Sequence, residues 1–359
     1  MNYRGRQSQL QGLLAENALD ALLITHLPNI RYLCGFTGSA GVLVVSEKSK
    51  IFFTDSRYTI QAHAEVQGGK VLVRPKNPLL AAAEWVKSNQ RGGRLGIEAE
   101  HLSVAAQARL KTGLSSKFKL KQAPPLVEQA RMVKEPAEIE VMRRAALLGV
   151  RLLGPLRKAL RPGVAELDAA AELEYAAVRR GAQGMSFSTI IASGKRSALP
   201  HGRASSSTIP SKGFVVCDFG VILGGYCSDM TRTMHMGRAK RESRQAYAAV
   251  REAQQAAVDA VQPGKTVGEV DGAARKLLQK FKLARYFTHS TGHGVGLEIH
   301  EAPRLAADGK DILRPGMVVT IEPGIYLPGK FGIRIEDAVV VTERGCEVLT
   351  PASKELAEL

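Results

Sequence analysis

The sequence predicts a mixed α/β (α+β) chain of two domains, residues 1–125 and 126–359, the second built from two related halves about a pseudo-twofold axis. Three observations predict it. Short β-branched runs alternate with helical stretches in the first third. A tandem proline, Pro124-Pro125, marks a linker, because two prolines disfavour both helix and central strand. The remainder contains an internal repeat.

Ala21 to Thr25, Gly41 to Val45, Ile51 to Thr54 and Val71 to Val73 are apolar runs bounded by Gly, Pro or charge, and they are read as strands. Asn77 to Asn89 and Val104 to Lys111 are read as helices. Beyond the prolines a long helix is expected from Pro136, a residue suited to the first helical position. Its apolar positions Ile139, Met142, Ala145, Ala146 and Gly149 share one face. Arg161-Pro162-Gly163 stops that helical region.

The repeat has an offset of about 100 residues. Pro162-Gly163 followed by Glu166 to Ala171 recurs as Pro263-Gly264 followed by Glu269 to Ala274, and Gly213 to Val216 recurs as Gly316 to Val319. A carboxylate follows each strand: Asp218 in the first copy, Glu322 in the second. That period is longer than the common solenoid repeats, so two copies predict one pseudo-symmetric domain rather than an array. The symmetry would bring both acid-bearing strands to one axis.

Composition narrows the function classes. No apolar run approaches the ~20 residues of a membrane helix, and the polar segment Met1 to Leu10 has no apolar core of a signal peptide. The expected location is the cytoplasm, with no membrane partner. Four scattered cysteines without a Cys-x-x-Cys pair fit a reduced intracellular protein. The net charge of +16 would suit a nucleic-acid binder, but Lys and Arg are spread along the chain and only 5% of residues are aromatic, which argues against that partner.

Five residues could build a metal site: Asp218 and Asp229 on an expected hairpin turning at Ile222 to Gly225, His293 among glycines, Glu322, and Glu336. An acid embedded in apolar strand residues is costly without a cation. Taken singly, each acid also fits a structural role; Glu336, for instance, could pair with Arg334. Together, four carboxylates and one imidazole favour Mn²⁺, Co²⁺, Fe²⁺ or Zn²⁺. Two such ions clamp a water, lower its pKa and polarise a carbonyl. His201, His300 and Arg334 fit supporting roles, since histidines near such a site donate hydrogen bonds to a developing oxyanion. Arg334 and Glu336 are two apart and are placed on one side of a strand. His289 and His26 receive no role.

The run from His289 to Glu301 resembles the histidine signature of the proline-specific metallopeptidases with the creatinase-like, or pita-bread, fold. The order Asp218, Asp229, His293, Glu322, Glu336 resembles that family's five metal ligands one for one. Ala198 to Gly202 is similar to its substrate-contacting histidine loop, and Glu135 to Ile139 to the start of its catalytic domain. Gly35 to Gly41, Thr54 to Tyr58 and Gln61-Ala62 look most like the N-terminal domain of aminopeptidase P and its small bacterial relatives, to which the prolidases are related.

The resemblance implies a dinuclear Xaa-Pro aminopeptidase using two divalent ions, with manganese foremost and cobalt or zinc as alternatives, and a metal-bridged hydroxide as the attacking group. Glu322 would also handle the proton of the attacking water. His201 and His300 would contact substrate and stabilise the tetrahedral intermediate, and Arg334 would orient the site. The implied partners are peptides with proline in second position and a second copy of the chain in a homodimer. The neighbouring reading is an Xaa-Pro dipeptidase (prolidase). Methionine aminopeptidase lacks the added N-terminal domain, and creatinase works without these metals. A non-catalytic pita-bread binding module has no reason to keep five converging ligands.

Overall fold

The computed structural model describes residues 1–75 and 77–359. The chain divides into two compact units, Met1–Arg131 and Met132–Leu359.

The first unit runs α1 (Tyr3–Glu16), β1 (Ala21–Ile24), α2 (Leu27–Cys34), β2 (Val42–Ser46), β3 (Lys50–Thr54), α3 (Thr59–Glu65), β4 (Lys70–Val73), α4 (Pro78–Asn89), β5 (Gly93–Glu98), α5 (Val104–Gly113), β6 (Phe118–Ala123) and α6 (Leu126–Arg131). Its six strands form one mixed sheet in the order β4-β3-β2-β1-β5-β6. The four expected strand runs are present as β1 to β4. Helix α1 escaped the sequence reading because part of its buried side is polar. The Arg6 guanidinium lies 4.0 Å over the Tyr32 ring, and Gln7 Nε2 donates to the carbonyls of Leu33 and Gln67. Apolar periodicity cannot reveal such a face. Strand β6 alternates lysine with apolar residues at a sheet edge, which blunts its signal. Pro124-Pro125 lead straight into α6, which packs on α1 and α2 within this unit.

The second unit begins with α7 (Pro136–Ala159) and α8 (Glu166–Arg179), then β7 (Gly184–Met185), β8 (Ile190–Ser193), β9 (Gly213–Phe219), β10 (Val221–Leu223), β11 (Tyr226–Cys227) and β12 (Met230–Met236). It continues with α9 (Arg241–Asp259), α10 (Val267–Lys280), β13 (Gly292–Gly294), β14 (Glu301–Leu305), β15 (Val318–Ile321), β16 (Gly324–Leu327), β17 (Phe331–Arg334), β18 (Asp337–Thr342) and β19 (Gly345–Val348). Each half is thus a helix pair followed by strands. Pro136 opens α7 as expected, and the Glu138 carboxylate reaches back to the Glu135 N–H at 2.8 Å. Both helix pairs turn at a left-handed glycine, Gly163 and Gly264, each at φ +85°.

Side-chain alternation shows which strand faces pack on the helices. Val215, Cys217 and Phe219 of β9 pack with α7 and α8, whereas Val319 and Ile321 of β15 pack with α9 and α10. Asp218 and Glu322 therefore lie on the opposite faces of their strands, away from the helices. The repeat is consequently one residue out of step at this point, because aligning Gly213 with Gly316 would set Asp218 against Ile321 rather than Glu322. A second equivalence was hidden in the same way. Fully buried Glu166 accepts hydrogen bonds from the Ser193 N–H and hydroxyl, and fully buried Asp271 does the same for Thr291.

The expected hairpin is present with a tighter turn. Ile222 and Leu223 belong to β10, and the turn is Gly224-Gly225, both at positive φ, as a two-residue hairpin requires. The halves meet along a seam between β12 and the β17–β18 link. There the Thr233 hydroxyl donates to the Arg334 carbonyl at 2.8 Å, and the Glu336 N–H donates to the Thr231 carbonyl at 3.2 Å.

Candidate metal centre

The seam collects the acids. Asp218 sits in β9 and Asp229 just before β12. His293 is central in β13. Glu322 follows β15, and Glu336 lies between β17 and β18. Ligand atoms of Asp229, His293 and Glu336 all lie within 4.8 Å of one another. Glu322 joins through His293, whose Nε2 is 3.6 Å from both Glu322 Oε1 and Asp229 Oδ2. Asp218 enters through Arg334, whose Nη2 donates to Asp218 Oδ2 at 2.6 Å.

Two expectations about Arg334 are corrected. Among the described residues its carboxylate contacts are Asp218 and, at 4.0 Å, Glu322, rather than Glu336. It also does not share a strand with Glu336, because β17 ends at Arg334 and β18 begins only at Asp337. Glu336 is instead fixed by the Thr231 hydroxyl at 2.7 Å, while buried Arg232 holds its carbonyl. Arg334 Nε donates to that same Thr231 hydroxyl at 3.1 Å, and Nη1 donates to the Pro200 carbonyl and the Tyr326 hydroxyl.

The glycines around His293 are required sterically. A Cβ on Gly292 would stand 1.8 Å from the Thr320 carbonyl oxygen, and one on Gly294 would stand 2.2 Å from that of Ala302. This close approach lets the Thr320 hydroxyl take the His293 N–H at 3.1 Å. The ring is oriented as well. Nδ1 lies 2.9 Å from the Gly294 carbonyl, which can only accept, so Nδ1 carries the proton and Nε2 presents its lone pair to Asp229 and Glu322.

His201 and His300 are both exposed. The His300 ring packs edge-on to His293 with centroids 4.4 Å apart, and its pKa is lowered by burial and by His201. His201 follows Pro200, whose carbonyl Arg334 holds. Sequence reasoning passed over Thr231, Tyr326 and His289. His289 Nε2 is 2.9 Å from the Tyr326 hydroxyl, so His289 supports Arg334 through Tyr326. Its position four residues before His293 was the available signal.

The electrostatics fit a cation. Burial, then Glu336, raises the Asp229 pKa well above 3.8; burial, then Glu322, raises Glu336. Loss of water pushes Glu322 up to about 8, with Arg334 opposing, and burial pushes His293 down to about 4. Asp218 Oδ1 is buried and has no hydrogen-bond partner among the described residues. Four acids gathered around one arginine, an orphaned carboxylate oxygen and an imidazole lone pair aimed inward fit divalent metal of borderline hardness.

A pH test follows. An acid with a raised folded pKa favours the folded state while protonated, so that stability is present below the unfolded value of 4.5 and is lost as pH rises through about 8. Burial pushes His289 and His293 down from 6.5, so their effect lies below about pH 6.5. Chelated protein should therefore lose thermal stability between about pH 6.5 and 8, and added metal should restore most at the upper end. A chelated protein equally stable across that window would contradict the electrostatic account.

The fold has creatinase-like, pita-bread architecture, and its clustered acids and imidazole fit a metallohydrolase. Residues 140–343 match metallopeptidase family M24, and residues 6–133 match the creatinase/prolidase N-terminal domain. The chain belongs to family M24. A solved structure described as an Xaa-Pro dipeptidase from Bacillus anthracis is 39% identical with a TM-score of 0.96, each chain covered in full. An Xaa-Pro dipeptidase from Pyrococcus horikoshii is 36% identical over 95% of each chain. The structure of an X-Pro aminopeptidase from Thermotoga maritima is 35% identical with a TM-score of 0.90, covering 99% of this chain and 100% of the other. Among the described residues no helix is long and apolar enough to cross a membrane.

Proposed function

We propose that this chain is a dinuclear Xaa-Pro exopeptidase that releases the N-terminal residue preceding a proline. The observation that carries the reading is the convergence of Asp229, Glu336 and Glu322 on the free Nε2 of His293. Asp218, Asp229, His293, Glu322 and Glu336 would hold two divalent cations, with Mn²⁺ the first choice and Co²⁺ or Zn²⁺ alternatives. When bound, the cations supply Lewis-acid activation of water and of the scissile carbonyl.

The chain's own groups do the rest. Glu322 takes the proton of the attacking water and passes it to the departing proline nitrogen. His201 and His300 donate hydrogen bonds to the carbonyl oxygen as it gains charge. Arg334 holds Asp218 in place. An Xaa-Pro bond is a tertiary amide without an N–H, so a site that makes no demand on that donor can specialise in it.

The segments Gly35 to Gly41 and Thr54 to Tyr58 support the aminopeptidase reading, which includes a homodimer. The dipeptidase reading is supported by the names of the Bacillus anthracis and Pyrococcus horikoshii relatives. Metal-loaded protein is to be assayed on Xaa-Pro and on Xaa-Pro-Yaa-Zaa peptides. Release from the longer peptide is the result expected of an aminopeptidase, and cleavage confined to the dipeptide makes the chain a prolidase. Cleavage of neither overturns the proposal.

A further inference from the structure

The Met132–Leu359 unit has a second concave site, of about 480 Å³, behind the segment that leads to His201. Phe214 lines it, four residues back along β9 from Asp218, which at ~3.3 Å per residue is about 13 Å from the acids. Lys195, Arg196, Lys212 and Lys330 surround it, and among the described residues no carboxylate lines it. Arg196 is answered by buried Glu166 at 3.0 Å. Lys195, Lys212 and Lys330 have no ion-pair partner among the described residues. All three lysines are exposed, so their charges stand in water around the rim of the concavity and are open to an incoming anion.

Neutral donors point to the same ligand. The hydroxyls of Ser207, Thr208 and Ser243 line the cavity and make no hydrogen bond to protein among the described residues. Ser243 lies in the first turn of the 19-residue helix α9, whose N-cap Lys240 supplies no side-chain hydrogen bond. Ser243 brings the start of α9 to the edge of the cavity, where the Glu358 carboxylate already accepts from the Ala239 N–H and pairs with Arg244. Glu242 shares that turn but does not line the cavity. One wall is apolar, formed by Phe331 and Pro210.

We propose that this cavity is a binding site for a phosphate ester, its dianionic head among Lys195, Lys212 and Lys330 and its apolar substituent against Phe331. A phosphate dianion has three terminal oxygens to satisfy several lysines and hydroxyls at once, whereas a carboxylate has two oxygens.

The test titrates phenyl phosphate into the metal-loaded protein by calorimetry, alongside Asp229→Ala and the double variant Lys212→Glu, Lys330→Glu. The expected result is one saturable site in wild type and in Asp229→Ala. The double variant should bind at least about tenfold more weakly while keeping its circular dichroism and its peptidase kcat/KM. If the double variant does not fold, Lys330→Met alone should still weaken binding. Absence of saturable binding to wild type would overturn the proposal. So would binding that is lost in Asp229→Ala and unchanged by the lysine substitutions, since the metal centre would then be the sole anion site.

Discussion

Asp229→Ala is expected to lower kcat/KM on Xaa-Pro substrates roughly a thousandfold, the upper end for losing one preorganised electrostatic group. That is about 4 kcal/mol of transition-state stabilisation. Bound metal should fall below two equivalents, because Asp229 belongs to the triad whose ligand atoms lie within 4.8 Å. Stability should not fall with it. Asp229 is 4% exposed, and burial together with Glu336 makes its charge unfavourable in the folded protein. Deleting the group removes that repulsion, so the chelated variant should unfold at the same midpoint as chelated wild type or a higher one. Full activity in this variant would remove Asp229 from the site, and a large drop in the chelated midpoint would make it structural.

Arg334→Met is expected to act on both stability and activity. The side chain is 3% exposed and donates to Asp218, Tyr326, Thr231 and the Pro200 carbonyl. Removing one partner of a buried ion pair typically costs about 3–5 kcal/mol, since the other charge stays buried. The expected loss is about 3 kcal/mol in the chelated protein and less with metal bound, because a cation would answer Asp218. Catalytic efficiency should fall roughly a hundredfold through displacement of Asp218 and of the loop before His201. Arg334→Lys should recover little, because one ammonium cannot reproduce a planar fork serving several partners. Chemical denaturation with and without metal, beside kinetics on one peptide, checks both effects; wild-type values in Arg334→Met would show that the contacts are incidental.

The parts of this molecule legible in its sequence are those governed by short-range chemistry. Gly163 and Gly264 announced matching turns, Pro136 a helix start, and Gly292 and Gly294 a close backbone approach around His293. Asp218 was legible because it interrupts an otherwise apolar strand run, and Asp229 because it returns on the same hairpin. What stayed hidden depends on pairing between distant segments. Arg334 and Asp218 are 116 residues apart, and their partnership follows from the seam between β12 and β17 rather than from any local spacing. The one-residue slip of the repeat was invisible for a related reason. Similar residue strings align by identity, whereas sheet faces follow parity. Helix α1 was missed because Arg6 and Gln7 bury polar groups against backbone carbonyls. Thr231 carried no signal of its own, yet it ties Glu336 to Arg334.

The most direct test of the central claim is a metal titration of chelated protein, following release of the N-terminal residue from an Xaa-Pro peptide as Mn²⁺ is added. Five ligands divided between two ions predict activity that rises with added metal and is complete at two equivalents per chain. Activity that persists after chelation, or none with Mn²⁺, Co²⁺ or Zn²⁺ at any ratio, would contradict a two-metal peptidase.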